Sequence, residues 1–434
     1  MKFYKIIILS VSFFLVSNLA QASDVLRIHG SNTVGAKLMP ALVGQWLKAR
    51  GFAIQGNRFI TRNERLISAT KEGRRLDIEI HAHGSSTGFK SVKNSLADLA
   101  MSSRPIKGKE IKSLSYLGNL SAPDKEVVVG VDGIAVVVHP SNPVAALSMS
   151  QLQAVFSGVI HNWASLGGPN QPIQVYARDN QSGTYDTFKS LVLGKQRRLT
   201  ASAKRYESND DLSDDVSRDV SGIGFVGLPS IRHAKALAVA DGKNTPILPS
   251  EFSVATEDYP LSRRLYVYQP RPDNALAADL AGFIKSSQGQ RVVSAVGFIS
   301  QNINAYEIAL GSEYPDNYKQ LLDGARRLSL NFRFQAGAYK LDNKALQDID
   351  RLAAFLNQRL AKQVILAGFS DGAEATPWRR HILSTERSDF VAESLIKKGI
   401  TPSAVRGFGS SVQVASNASA KGQHKNRRVE VWVR

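Results

Sequence analysis

Three short turns carry the residue types that hold a tetrahedral anion. Gly30-Ser31-Asn32-Thr33, Gly84-Ser85-Ser86-Thr87-Gly88 and Ser182-Gly183-Thr184 each set hydroxyls beside small residues where an apolar run gives way to a helical pattern. A helix N-terminus offers unpaired N–H groups and the positive end of its dipole, so each turn is a ready anion site. Arg178, four residues before Ser182, adds a guanidinium suited to charge-assisted bonds. One such turn alone reads as an ordinary N-cap, with its hydroxyl on a backbone amide. Three of them with an arginine point to convergence on one oxyanion.

His81 and His83 alternate on a strand, so both rings point to one face. Two imidazoles could begin a metal site, but no third ligand stands at motif spacing, so they read as surface or core histidines and no metal or cofactor is expected. Gly368-Phe369-Ser370-Asp371-Gly372 fits the nucleophile-elbow pattern, with Asp389 and His424 following in hydrolase order. The unit that contains it is too small for a hydrolase sheet, and Gly84-Ser85-Ser86-Thr87-Gly88 meets the same pattern. A binding protein rather than an enzyme is the expectation.

These residues need a scaffold of several folding units, because the 434 residues are too many for one core at roughly 150 per domain. A hydrophobic fraction of 43% with 21% charged residues is that of a folded protein, and the absence of cysteine excludes disulfides, thiolate metal sites and a lipid-modified N-terminal Cys. Residues 1–22 read as a secretory signal peptide: Lys2 and Lys5, an apolar run from Ile6 to Leu19, then Ala20-Gln21-Ala22. No later segment is long and apolar enough to span a bilayer. The formal charge of +18 suits anionic ligands or an anionic envelope surface. The export signal and the lack of an aromatic-basic stripe argue against nucleic acid.

From Ser23 to about residue 310, Val25–Ile28, Asp77–His81, Ile134–Val138, Ile173–Ala177 and Leu265–Tyr268 read as strands alternating with helices, which is α/β order. Residues 311–327, with Pro315 and mixed charges, read as a linker with room for one helical turn. Residues 328–434 restart the pattern as a small βαβαβ unit: a strand Leu328–Phe334, a helix with Leu346, Ile349, Leu352 and Leu356 on one face, a strand Val364–Phe369, a helix with Phe390, Val391 and Leu395, and a final strand with Val429, Val431 and Val433.

Residues 25–309 resemble the periplasmic phosphate-binding proteins of the PstS type. The resemblance rests on the three turns above, on Ser102-Ser103-Arg104-Pro105, on Val155-Phe156-Ser157-Gly158 with Asn162-Trp163, and on Gly222-Ile223-Gly224-Phe225-Val226, all in family order. It implies a two-lobed periplasmic-binding-protein fold, type II-like, that closes hinge-wise on inorganic phosphate or a similar oxyanion and delivers it to an ABC permease. It also implies ligand contacts from Thr33, Ser85, Arg178, Ser182, Gly183 and Thr184, with Ser31, Asn32, Ser86, Ser103 and Arg104 as further candidates. Arg104 could instead pair with a surface acid. Many members carry an acid at the position of Ser103, where a carboxylate accepts the proton of hydrogen phosphate; Asp179 is the replacement acceptor to consider.

Residues 328–434 resemble the OmpA-like peptidoglycan-binding domain through Gly368-Phe369-Ser370-Asp371, Leu383-Ser384-Thr385-Glu386-Arg387, Gly407-Phe408-Gly409, Asn417, Gly422 and Asn426-Arg427-Arg428-Val429-Glu430. In that family the Asp and the helix Arg grip the free end of diaminopimelate, whose ammonium and carboxylate share one carbon. One acid and one guanidinium complement that pair of charges, and Asp371 and Arg387 fit, with Ser370, Asn426 and Arg427 in support. Ser370 replaces the family's Thr, Glu374 its Gly and Arg380 its Asn; a guanidinium cannot accept the hydrogen bond an amide can. Together the resemblances imply an oxyanion-binding protein tethered to peptidoglycan in the Gram-negative periplasm. The alternative is a wall-associated sensing, adhesion or assembly protein whose binding domain no longer serves transport.

Overall fold

The computed structural model describes residues 24–434 apart from 181, 336–340, 359–362 and 374–375, so the leader pattern and Glu374 lie outside the described residues. The first lobe is built on β1 (Asp24–Gly30), β2 (Ala53–Thr61), β3 (Glu64–Lys71), β4 (Arg74–His81) and β5 (Leu99–Ser102). β1 lies parallel to β4 and β5 and buries Leu26 and Ile28 on its core face. Trp46 and Leu47 of the helix Met39–Ala49 pack on that face with Leu280 and Ile284. The strand β6 (Glu126–Val138) then leaves the lobe, nearly all of its 13 residues buried.

The second lobe adds β7 (Ala146–Ser148), β8 (Gln174–Arg178), β9 (Lys204–Tyr206), β10 (Gly222–Gly227), β11 (Lys235–Ala236) and β12 (Ala238–Ala240), with Trp163, Phe156, Phe188 and Phe225 in its core. β13 (Ser262–Tyr268) returns antiparallel to β6, and the two join both lobes into one sheet of order β2-β3-β4-β1-β5-β13-β6-β10-β8-β9, with β11 also on β6. The two crossing strands expected between lobes are thus β6 and β13. Composition located only the end of β6, because Gly130, Asp132 and Gly133 interrupt its apolar run.

The C-terminal sheet has the order β14-β15-β18-β16-β17, where β14 is Ala305–Tyr306, β15 Arg326–Arg333, β16 Val364–Gly368, β17 Ala404–Gly407 and β18 Arg428–Val433. The last strand therefore runs through the middle of the sheet, and Leu330, Phe332, Leu366, Val429 and Val431 meet Leu352 and Leu395 from the helices Asn343–Asn357 and Pro377–Ile396. Leu346 is exposed, and Ala345 takes its place in the buried stripe. Residues 311–327 are no open linker. They carry the helix Asp316–Leu322, whose Tyr318 and Leu322 pack on Ile365, Phe369 and Trp432, while β14 joins the sheet from further upstream.

The C-terminal domain packs across the crossing strands. Arg264 on β13 reaches Asp342 at 2.8 Å and is bidentate to Glu257 at 2.6 and 3.0 Å. Arg333 donates to the Thr256 carbonyl and to Asp258, both at 2.7 Å, and Asn331 donates to the same two residues. Asn343 reaches Glu126 on β6 at 3.0 Å, and the buried Lys425 ammonium donates to the Tyr259 carbonyl at 2.9 Å. Ion pairs this buried need every partner, since removing one strands the other's charge away from water.

Two carboxyls in these arrays set an acid limit. Burial works to raise Glu430, but Arg327 and Arg428 beside it and a hydrogen bond from Tyr318 bring it down to about 2. Burial likewise opposes Glu257, which Arg264 and Lys344 hold at about 2. Both lie below the ordinary value of 4.5, so their contribution is complete above that pH and is lost as the pH falls toward 2. Circular dichroism should show cooperative loss of structure in that window. Glu430→Gln should lower stability at neutral pH and flatten the acid loss; an unchanged acid transition would show that the two arginines do not govern this carboxyl.

Candidate functional site

The anion turns form because glycine permits two close approaches. Gly30 has φ +138°, and a Cβ there would lie 2.1 Å from the Met101 carbonyl oxygen, so β1 can lean on β5 only without a side chain. Gly183 presses on the opposite lobe, where a Cβ would lie 2.3 Å from the Thr33 hydroxyl. Thr33 of the first lobe and the Ser182–Thr184 turn of the second are thereby face to face. The turn is also an N-cap: the Ser182 hydroxyl accepts from the Tyr185 amide at 3.3 Å.

The candidate residues separate into two cavities. Asn32, Thr33, Arg178, Ser182, Gly183 and Thr184 line one of about 430 Å³, together with Asp132, Asp179 and Lys37. Arg178 is half-buried, held by the carbonyls of Tyr206 at 3.3 Å and Glu207 at 2.6 Å, and burial draws its pKa down. Ser85, Ser86, Ser103 and Arg104 line the other, of about 740 Å³. There the Ser85 hydroxyl accepts from the Ser103 amide at 3.1 Å, and Arg104 is committed to Glu110 at 2.7 and 2.9 Å and to the Ser86 hydroxyl at 3.0 Å. Arg104 is thus paired with an acid, but a buried one rather than the surface acid expected. Ser31 is buried beneath the turns, its amide on the Met101 carbonyl.

Arg263 sits at the seam and was not anticipated. Its side chain, 12% exposed, donates to the Thr33 hydroxyl at 2.9 Å and to the Gly183 carbonyl at 3.0 Å, and pairs with Asp132 at 3.4 Å. Burial raises the Asp132 carboxyl while Arg263 and the Thr187 hydroxyl work against the rise. In sequence Arg263 stands just ahead of the strand expected at Leu265–Tyr268 and outside every motif. Its one signal is a dibasic pair beside an apolar run.

In the C-terminal domain the anchor candidates gather at the end of β16. Ser370 and Asp371 follow the strand, with Ser370 bonded through its amide to the Gly409 carbonyl at 2.8 Å. Asp371, 1% exposed, accepts from the Ala373 amide at 2.8 Å and is paired with Arg427. Arg387 on the long helix is equally buried, donates to the Phe369 carbonyl at 3.2 Å and lies over the Phe334 ring at 5.7 Å. Asn426 braces the neighbouring loop, accepting from the amides of Val414 and Ala415 and donating to the Ala415 carbonyl. Arg380 donates to the Ser410 hydroxyl. The triad order is not assembled: the Ser370 hydroxyl is buried with no hydrogen-bond partner among the described residues, and His424 meets the Phe334 carbonyl and Asp342.

Residues 65–288 match the model of the PBP superfamily domain, and residues 333–427 that of the OmpA family. Protein SphX of Synechococcus elongatus is 31% identical over 255 residues, covering 55% of this chain and 73% of that protein. The phosphate-binding protein PstS of Pseudomonas aeruginosa is 29% identical over 296 residues, covering 62% and 90%. A solved structure of a possible phosphate binding protein from Planctomyces limnophilus shares the fold, with a TM-score of 0.52 at 22% identity over 64% of this chain and 93% of its own. The two lobes joined by β6 and β13, together with these matches, show that the chain belongs to the PBP superfamily and carries an OmpA-family domain behind its two lobes.

Proposed function

We propose that residues 23–310 bind inorganic phosphate, or a similar oxyanion, between the lobes, and that residues 328–434 hold the protein on peptidoglycan in the Gram-negative periplasm. The observation that carries the first half is a cavity in which Thr33 of one lobe meets Arg178, Ser182 and Thr184 of the other, joined through Arg263, which bonds to Thr33, to the neighbouring cavity of Ser85 and Ser103. Hydroxyls, a helix N-terminus and the Arg178 guanidinium complement a tetrahedral anion from both lobes, so the anion itself would fasten them. The buried acid and arginines at the end of β16 support the second half. Nothing in either arrangement calls for bond-breaking, and the bound anion would pass to a permease. The contacts of the C-terminal domain with β6 and β13 favour a second reading, in which lobe closure is sensed at the wall rather than used for transport.

Calorimetry with phosphate, sulfate and molybdate tests the binding half; no saturable oxyanion binding would end it. Ser103, in the neighbouring cavity across Arg263, stands where many family members carry an acid that would repel sulfate, and a hydroxyl there can either donate or accept. Sulfate is therefore expected to compete, with a phosphate preference below about four orders of magnitude. A larger preference would mean that Asp179 or Asp132 takes the hydrogen-phosphate proton, and of Asp179→Asn and Asp132→Asn the variant that collapses the preference would identify which.

A further inference from the structure

Three strands of the first lobe assemble a cluster that spacing in the sequence could not reveal. The parallel register sets His29 on β1 opposite His81 on β4, and the antiparallel register sets Glu64 on β3 opposite His81 from the other side. Glu79 shares this face two residues earlier on β4, and His83 follows two residues later. The Glu64 Oε1 atom lies 2.9 Å from His83 Nε2 and 3.6 Å from His81 Nδ1. The His29 and His81 rings stack at 4.1 Å between centroids, 6° from parallel.

Donor atoms of Glu64, His81 and His83 all lie within 4.8 Å of one another, and so do those of His29, Glu79 and His81. His29 is only 8% exposed, and its Nε2 atom has no hydrogen-bond partner among the described residues. A buried ring nitrogen without a partner is costly, and a stacked neighbour supplies none. Imidazole nitrogens with one carboxylate are the donor set of zinc and its neighbours, whereas magnesium and calcium take oxygen alone.

We propose that Glu64, His81 and His83, with His29 stacked against His81, bind a zinc-class divalent cation. Glu79 is already turned to Arg27, at 3.5 Å, and stands at the margin of the site. The placement gives the ion a structural consequence. His29 immediately precedes Gly30, His83 immediately precedes Gly84, and the Gly84 amide is bonded to the Gly30 carbonyl at 2.7 Å. One ion would therefore brace the roots of two of the anion turns, and Asn63, beside Glu64, already receives the Asn32 amide at 3.2 Å. The inference does not depend on which oxyanion the lobes bind.

The test is equilibrium dialysis of the chelator-stripped full chain against zinc, with cobalt in its place for the visible spectrum. The expected result is one saturable zinc per chain and the intense absorption of tetrahedral cobalt. His83→Ala alters a half-exposed side chain and should fold; it should weaken zinc binding by at least about tenfold, and His81→Ala by at least about a hundredfold. His139→Ala, outside the cluster, should change nothing. Absence of saturable zinc in the wild type, or a His81→Ala/His83→Ala double variant that still binds zinc as the wild type does, would overturn the site.

Discussion

Arg178→Ala should weaken phosphate binding by about 2–5 kcal/mol, the loss expected when one member of a desolvated charge pair is removed from an interface. Its guanidinium is held by two backbone carbonyls, Tyr206 and Glu207, at the rim of the cavity, so the fold should survive the change. Single hydroxyl losses, Thr33→Val or Thr184→Val, should cost about 1–2 kcal/mol each. Arg263 is different in kind. It neutralises Asp132 and joins Thr33 to Gly183, so Arg263→Ala should destabilise the protein as well as its binding, and Arg263→Lys is the variant that separates the two effects. Titration calorimetry at fixed ionic strength decides the matter. Phosphate affinity unchanged in Arg178→Ala would remove the 430 Å³ cavity from consideration as the binding site.

Loss of specific wall binding on altering Asp371 is the second large effect expected. A basic domain adheres weakly to anionic wall material, so the informative measurement is sedimentation with purified sacculi at about 0.15 M salt, where charges are screened beyond about 8 Å. Removing an acid makes the domain more basic and should strengthen nonspecific adhesion, yet it removes the partner of the ligand ammonium. The pairing of Asp371 with Arg427 governs the choice of variant. Alanine would leave a buried guanidinium without its carboxylate, at about 3–5 kcal/mol, whereas Asp371→Asn keeps an acceptor for Arg427 and deletes only the charge. Asp371→Asn and Arg387→Lys should both fail to co-sediment. If Asp371→Asn sediments as the wild type does, the tail is an electrostatic tether and the anchoring site lies elsewhere.

The two predictions bear on one another through the domain contacts. Asp342, Asn343, Arg333 and Lys425 of the C-terminal domain all reach segments next to β6 or β13, the strands that must flex if the lobes open. Lys421, His424 and Lys425 also line the cavity that holds Ser85 and Ser103. The OmpA-family domain is thus part of the wall of a cavity beside the two lobes, and the domains share a set of buried charges.

Much of the protein was decided by local chemistry. Helix N-termini with hydroxyls must stand where they do because Gly30, Gly84 and Gly183 allow the turns, and the alternation of β1, β4, β16 and β18 follows from side chains that point to opposite faces in turn. Asp371 and Arg387 were singled out through the OmpA resemblance, which set one just after a buried strand and the other on the following helix, where the structure has them. Residues far apart in the chain were not. Arg263 stands outside every motif until β13 crosses β6 and carries it to Thr33 and Gly183. Arg427 becomes the partner of Asp371 because the last strand enters the middle of the sheet. Residues 311–327 look like a linker by composition, and only the sheet face that carries Ile365 and Trp432, with Phe369 beside it, turns Tyr318 inward. His29, Glu64 and His81 meet solely through strand register. Periodicity and turn chemistry act within a few residues and so belong to the sequence; which strand lies beside which depends on burying every face at once, and only the tertiary structure settles that.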